Sequence, residues 1–277
     1  MIYIAGASSQ LGQEIKKSGL FSGAIFLEKN DLDLSKLDSL EKFLNTKKIK
    51  TFINAAAYTN VDRAELEKSL SSLVNSHAPS LIAQYAEEKK FKFIHFSTDY
   101  VFDGEIKEPR TEISATHPIN HYGQSKLDGE NSILKINSHA LIIRTSWLYS
   151  SFGNNFVKTI LKLANERSYL AVIDDQTGCP TLATDLIKAT KLGHEQDLKG
   201  IYHFSNEGKT TWHNFAETIL KLKRVKTPVK AIKSSELITQ AIRPKYSVLD
   251  KTKIKTHLNI QIRPWTEALQ EFLKDFS

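Results

Sequence analysis

Short apolar runs, rich in β-branched and aromatic residues, recur through the first half of the chain: Ile2 to Ala5, Ala24 to Leu27, Thr51 to Ile53, Phe91 to Phe96 and Ala140 to Arg144. Their apolar character is nearly continuous and does not alternate with polar residues. A strand with one wet face would alternate, so these are expected to be covered on both faces, as in a parallel sheet. Helical stretches separate them, for example Leu37 to Asn45 and Ser80 to Lys89. Strand and helix in alternation predict a doubly wound α/β fold, in which ligands sit beyond the carboxyl ends of the strands.

After Tyr149 the rhythm changes. Helix-like segments at Phe156 to Arg167, Leu182 to Leu192, Trp212 to Leu222 and Trp265 to Phe276 are joined by loops carrying Pro180, Pro228, Pro244 and Pro264. With 277 residues, 40% of them hydrophobic, the chain can bury a core shared by two lobes. The expected division is a sheet domain of residues 1–150 joined by about 183–206, where Gly200 to Phe204 returns as one more strand. A smaller C-terminal α+β lobe of 151–182 and 207–277 would lie over the strand ends.

Charge and cysteine content narrow the partners. The net charge of +7 is spread along the chain and not gathered into tracts, which argues against nucleic acid and suits an anionic small substrate. The single cysteine, Cys179, permits no internal disulfide. No basic and apolar leader opens the sequence and no apolar run approaches the ~20 residues of a membrane span, so no membrane partner is expected and the default location is cytoplasmic.

The segment Ile4-Ala5-Gly6-Ala7-Ser8-Ser9-Gln10-Leu11-Gly12 joins the first strand to a helix continuing through Ile15. Gly6 permits a tight turn, Gly12 lets helix and strand pack closely, and the N–H groups of the helix start offer a pyrophosphate site. Ser9 stands where a dinucleotide loop usually has its middle glycine, and could crowd the phosphates or bond to them. A loop of this kind after the first strand predicts a Rossmann-like NAD(P)-binding domain. Ala55, Ala56 and Ala57, after Asn54, would let backbone approach the dinucleotide, and Tyr58 follows them. Asp33 and Leu34 could flank the adenine, or serve as a helix cap and a core residue. Glu28 would hold a ribose 2′-hydroxyl whereas Lys29 would favour a 2′-phosphate, which leaves NADH and NADPH both open.

Tyr122-Gly123-Gln124-Ser125-Lys126 sets a phenol and an ammonium four residues apart, on one helix face. A free tyrosine has a pKa of ~10, and a nearby cation lowers it towards the range in which a general acid or base works. Ser97 and Thr98, directly after a strand, can donate to a carbonyl oxygen, or merely cap the turn.

Beyond these features the chain resembles the dTDP-4-dehydrorhamnose reductases, of the extended short-chain dehydrogenase/reductase superfamily. The matching segments are Asn54 to Asp62 (NAAAYTNVD), Ser97 to Gly104 (STDYVFDG), Tyr122 to Lys126 with Gly129 and Glu130, and Arg144 to Tyr149 (RTSWLY). They continue through Gly153 to Phe156 (GNNF), Asp175 to Thr181 (DQTGCPT), Thr211 to His213 (TWH) and Arg243 to Tyr246 (RPKY). The resemblance implies reduction of the C4 keto group of dTDP-4-dehydro-L-rhamnose by NADPH or NADH. It implies a catalytic triad of Thr98, Tyr122 and Lys126, with the last two also meeting the cofactor. Gly6, Ser9, Gln10, Leu11, Asp33, Leu34, the three alanines, Tyr58 and Asn75 would complete the cofactor site. Tyr100 and Trp147 would line the sugar pocket, with Val61 and Asp62 nearby as substrate-binding residues and Asn155 and Arg243 facing the nucleotide diphosphate. Tyr100 and Trp147 also read as core aromatics, Arg243 as a surface cation and Asn155 as a turn residue.

Some members of the family bind Mg2+ near a subunit contact, but no ligands for it can be mapped onto this chain. Apolar helix faces suit a homodimer as well as a core. The alternatives are a reductase or epimerase for another 4-keto-6-deoxy sugar nucleotide, and a non-catalytic subunit resembling the regulatory subunit of methionine adenosyltransferase.

Overall fold

The computed structural model describes residues 1–276. Its centre is a six-stranded sheet in the order Gly200–His203, Leu141–Thr145, Lys92–Thr98, Thr51–Asn54, Ile2–Ala5, Ile25–Leu27, with every neighbouring pair parallel. Consecutive strand residues point to opposite faces, and here both faces are apolar. Tyr3, Phe52, Phe93 and Ile142 enter one buried cluster, and their neighbours Ile4, Ile53, Ile94 and Ile143 enter the other. The nearly continuous apolar runs have this cause: each side chain leaves water whichever way it points, at ~1.5 to 3 kcal/mol apiece.

The first strand lies between the second and the third, so the chain reverses its direction of travel across the sheet there. A crevice opens beyond the carboxyl ends of strands at such a reversal. The helix Gln10–Ser18 starts at this crevice. Ser9 caps it, its Oγ accepting from Gly12 N at 3.0 Å, and Gly19 ends it in the left-handed conformation with φ 65°.

A third apolar cluster lies apart from the sheet. Tyr149, Val157, Ile160 and Val172 meet Phe215, Ile219, Trp265 and Leu269 there. It holds a small parallel pair, Leu170–Ile173 with Val229–Ile232. The helix Thr252–Leu258 does not join it, although it falls within the expected outer lobe. Ile254, Leu258 and Ile262 instead pack into the core under the sheet.

Candidate active site

The crevice is a cavity of about 560 Å³ whose wall includes Gly6, Ser9, Asp33, Leu34, Ala56, Ala57 and Tyr58. Gly6 has φ 79°, and a Cβ there would lie 2.6 Å from Ala56 N. A Cβ on Gly12 would lie 2.1 Å from the Gly6 carbonyl oxygen. Both glycines are therefore required by close backbone approach. Ser9 does not protrude as a bare obstacle. Its hydroxyl caps the helix and donates to Ala55 O at 3.0 Å, tying the loop to the end of the third strand. The loop, the start of the helix and the small side chains opposite fit a dinucleotide pyrophosphate.

Not every expected cofactor residue reaches that wall. Leu11 and Ala55 belong to the core under the sheet. Gln10 turns towards the outer cluster and accepts from Asn155 Nδ2 at 3.3 Å. Asn75 is wholly buried in a π-helical turn, Leu73–His77. Its Oδ1 accepts from Tyr58 N at 2.9 Å, and its Nδ2 donates to Tyr58 O and Ser125 Oγ, each at 3.0 Å. It thus fixes the backbone of a wall residue without being one. The wall also contains Ser8, Lys29, Arg63 and Val74. Lys29 was weighed from sequence, whereas Arg63 and Val74 were not found. They arrive on a six-residue helix, Val61–Leu66, and on the π turn, both too short to carry a readable periodicity.

Thr98, Tyr122 and Lys126 meet at the end of the fourth strand. The helix His121–Ile136 is capped by Asn120, whose Oδ1 accepts from Gly123 N at 2.8 Å. Gly123 lies so close to Tyr100 that a Cβ would be 2.2 Å from its carbonyl oxygen, so the Tyr122 turn sits flat on the strand end. The rings of Tyr100 and Tyr122 meet edge to face at 5.7 Å. Thr98 Oγ1 accepts from Tyr100 N and donates to Asp99 Oδ1, both at 3.2 Å.

The electrostatics differ from expectation at the tyrosine. Burial pushes the Tyr122 phenol up to about 12, against a hydrogen bond with Thr98 and helped by the Asp99 charge. Lys126 does not bring it down here. It is itself buried, which lowers it to about 8 against the pull of Glu130, and its Nζ donates to Phe96 O at 2.6 Å and lies 3.1 Å from His95 Nε2. The phenol therefore keeps its proton through the neutral range, as a proton donor must. Asp99, also buried, is raised to about 7 against hydrogen bonds from Ser247 and Thr98.

Among the residues expected to meet the sugar nucleotide, Arg243 Nη2 donates to Asp62 Oδ2 at 2.6 Å, and Arg243 holds Asp62 below the usual carboxylate range. Val61 starts the short helix that carries Asp62. Trp147, with φ 45°, is stacked on Trp212 at 3.4 Å between ring centroids and 6° between planes. Gly178 makes room for it, since a Cβ there would lie 2.4 Å from the indole. Trp212 was not singled out from sequence as a site residue, because the stack joins positions far apart in the chain. Asn155 is turned inward. Its Oδ1 accepts from Lys158 N at 3.2 Å and its Nδ2 donates to Ser150 O at 2.8 Å, so the amide expected at a diphosphate is committed to capping the helix Phe156–Glu166.

Among the described residues no three His, Cys, Asp or Glu side chains are grouped to hold a metal ion. No helix among them is long and apolar enough to cross a membrane.

A dTDP-4-dehydrorhamnose reductase of Aggregatibacter actinomycetemcomitans is 37% identical over 284 residues, covering 97% of each chain. A dTDP-4-keto-6-deoxy-D-glucose reductase of Streptomyces niveus is 30% identical over 97% of this chain and 94% of its own. The crystal structure of dTDP-4-dehydrorhamnose reductase from Bacillus anthracis in complex with NADP superposes with a TM-score of 0.95 at 33% identity, covering 99% of this chain and 98% of that one. The chain that carries the Gly-lined crevice and the strand-end Thr, Tyr and Lys is matched along residues 1–277 by the model of the RmlD substrate binding domain, and the protein belongs to the RmlD family.

Proposed function

We propose that this protein reduces the C4 keto group of dTDP-4-dehydro-L-rhamnose with NADPH, giving dTDP-L-rhamnose for polysaccharide precursor synthesis in the cytoplasm. The observation that carries this reading is the meeting of Thr98, Tyr122 and Lys126 at a strand end beside the Gly6 crevice, in a chain with full-length relatives of that name. The bound nicotinamide supplies the hydride to the keto carbon. Tyr122, still a phenol at neutral pH, gives its proton to the alkoxide oxygen that develops there. The Thr98 hydroxyl bonds the same oxygen, and Lys126 as an ammonium stabilises the phenolate left behind.

Arg243, now paired with Asp62, exchanges that partner for the diphosphate, whose oxygens match the guanidinium fork as a carboxylate does. The half-buried Tyr100 and Trp147 flank the sugar. Lys29 stands on the cavity wall, whereas Glu28 is exposed and not part of it, which favours a 2′-phosphate and hence NADPH. The outer lobe, without the helix Thr252–Leu258 that packs under the sheet, holds the nucleotide.

The test is the loss of reduced-nicotinamide absorbance with purified protein and the keto sugar made in situ, followed by identification of the product. Stoichiometric oxidation with dTDP-L-rhamnose appearing is the expected result. No oxidation, despite cofactor binding, removes the reading. A second reading, reduction of dTDP-4-keto-6-deoxy-D-glucose, is favoured by the Streptomyces niveus relative, and supplying that sugar in parallel separates the two.

A further inference from the structure

His95 takes no part in the reaction described above, yet it is wholly buried and its ring bridges the third strand and the catalytic helix. The polarity of that bridge can be read from its far end. Ala56 N–H donates to Asn54 Oδ1 at 3.1 Å, which turns the Asn54 amide nitrogen towards His95. Asn54 Nδ2 then donates to His95 Nδ1 at 3.2 Å, so Nδ1 is the acceptor. A neutral imidazole with an accepting Nδ1 carries its proton on Nε2. That Nε2–H faces Lys126 Nζ at 3.1 Å. An ammonium has no lone pair to receive it, whereas an amine does.

The surroundings of Lys126 lead the same way. Of the groups packed about it, Glu130 on its own helix is held by Arg144 through Nε at 2.9 Å and Nη2 at 2.6 Å. Ser125 and Asn75 bond to each other. Tyr122 and Thr98 are paired, and Asp99 accepts from Thr98. This leaves Phe96 O, at 2.6 Å, as the acceptor in contact with Nζ, and an ammonium buried to 2% exposure has three N–H groups to satisfy.

We propose that His95, fixed in one tautomer by Asn54, is a positioning residue that holds Lys126 as an uncharged amine against the fourth strand until the dinucleotide ribose draws it away, so that cofactor binding takes up a proton at Nζ. The inference rests on the reading of the crevice as a cofactor site. The balance is simple: amine plus one solvent proton gives the ammonium, whose N–H groups pass to ribose hydroxyl oxygens, and His95 Nε2–H loses its acceptor. Burial lowers Lys126 to about 8, and burial together with the lysine beside it holds His95 well below the usual histidine range, so that its ring is neutral. Binding that favours the protonated form must weaken as pH rises above the point where the unbound lysine loses its proton.

Two measurements test it. Nitrogen NMR of the cofactor-free protein labelled with 15N-histidine should show His95 as the neutral Nε2–H tautomer; an Nδ1–H or doubly protonated ring overturns the proposal. Titration calorimetry with NADPH near pH 9, in two buffers of unlike ionisation enthalpy, should show uptake approaching one proton per site, and no uptake in the wild type overturns it. In His95→Gln the side-chain amide can accept from an ammonium, so uptake should vanish and NADPH should bind at least tenfold tighter than to the wild type at the alkaline end of the range. Unchanged uptake in that variant also overturns the proposal, and if it does not fold, the two wild-type measurements decide. Failure of the wild type to bind NADPH at neutral pH would instead sink the proposed function, and the NMR result would still judge His95.

Discussion

The two ends of the crevice are built on opposite plans. Beside the first and third strands the wall is backbone, alanine and glycine around an open space of about 560 Å³, with Gly6 and Gly12 fixed by approaches that no side chain could enter. Beyond the fourth strand the space is filled by side chains bonded mostly to one another: Thr98 with Asp99, Lys126 with His95 and the Phe96 carbonyl, and Glu130 with Arg144, while Ser97 Oγ and Asp99 Oδ2 are left without partners. One end is a preformed mould. The other is a set of buried hydrogen bonds, part of which has to be exchanged for ligand contacts. The lesson is that binding and chemistry can be perturbed separately, because they depend on different kinds of atoms.

The sharpest way to break that separation is Tyr122→Phe. It removes the proposed proton donor and should lower turnover by ~10²- to 10⁴-fold, while the NADPH dissociation constant stays within error. A parallel loss of cofactor affinity in equilibrium titrations would show that the two ends are one unit. Next comes Glu130→Ala, which strands the Arg144 guanidinium, itself only 2% exposed. Unfolding in urea should reveal a loss of roughly 3 to 5 kcal/mol, the usual effect of breaking a buried pair.

Asp99 sharpens the contrast through pH. Its folded-state carboxyl, raised from 3.8 to about 7, holds a proton that the unfolded chain has already released across that interval. The folded state binds more protons there, so stability falls as pH rises from about 4 to about 7 and levels off above. Urea midpoints taken across that range should slope downward in the wild type, and the slope should be shallower in Asp99→Asn. The smallest effect is expected at the open end. Lys29→Glu should shift the ratio of NADPH to NADH affinity by roughly fivefold towards NADH, since an exposed charge contact amounts to about 1 kcal/mol. An unchanged ratio would take Lys29 out of the 2′-phosphate site.

Much of this was legible in the sequence, for physical reasons. The sheet could be read because pairs such as Tyr3 and Ile4 or Phe52 and Ile53 are apolar on both sides of a two-residue period. Tyr122 and Lys126 could be read because a helix brings residues four apart onto one face. His95 could not, because an inward-pointing histidine in a strand gives no sign of the amide that orients it. The inward turn of Asn155 was equally hidden, since one asparagine serves a helix cap or a ligand with the same letters. The boundary near residue 252 was misjudged because Ile254 and Leu258 are apolar in a pattern that suits either core.

The packing of those last residues has a consequence for how the protein comes off the ribosome. The chain leaves the sheet at Tyr149, returns at Ala183, departs again by Phe215, returns at Ile254 and ends its circuit with Trp265 and Leu269 in the outer cluster. The core under the sheet and the outer cluster thus each lack a wall until the last residues emerge, whereas the cluster on the other face of the sheet has its buried members in place by Ile142. A nascent chain halted before Ile254 leaves one face of the sheet and the outer cluster unfinished, and protease should cut it there, whereas a protein with its domains in series would by then have closed the whole of the first. Folding here waits for the last word of the message.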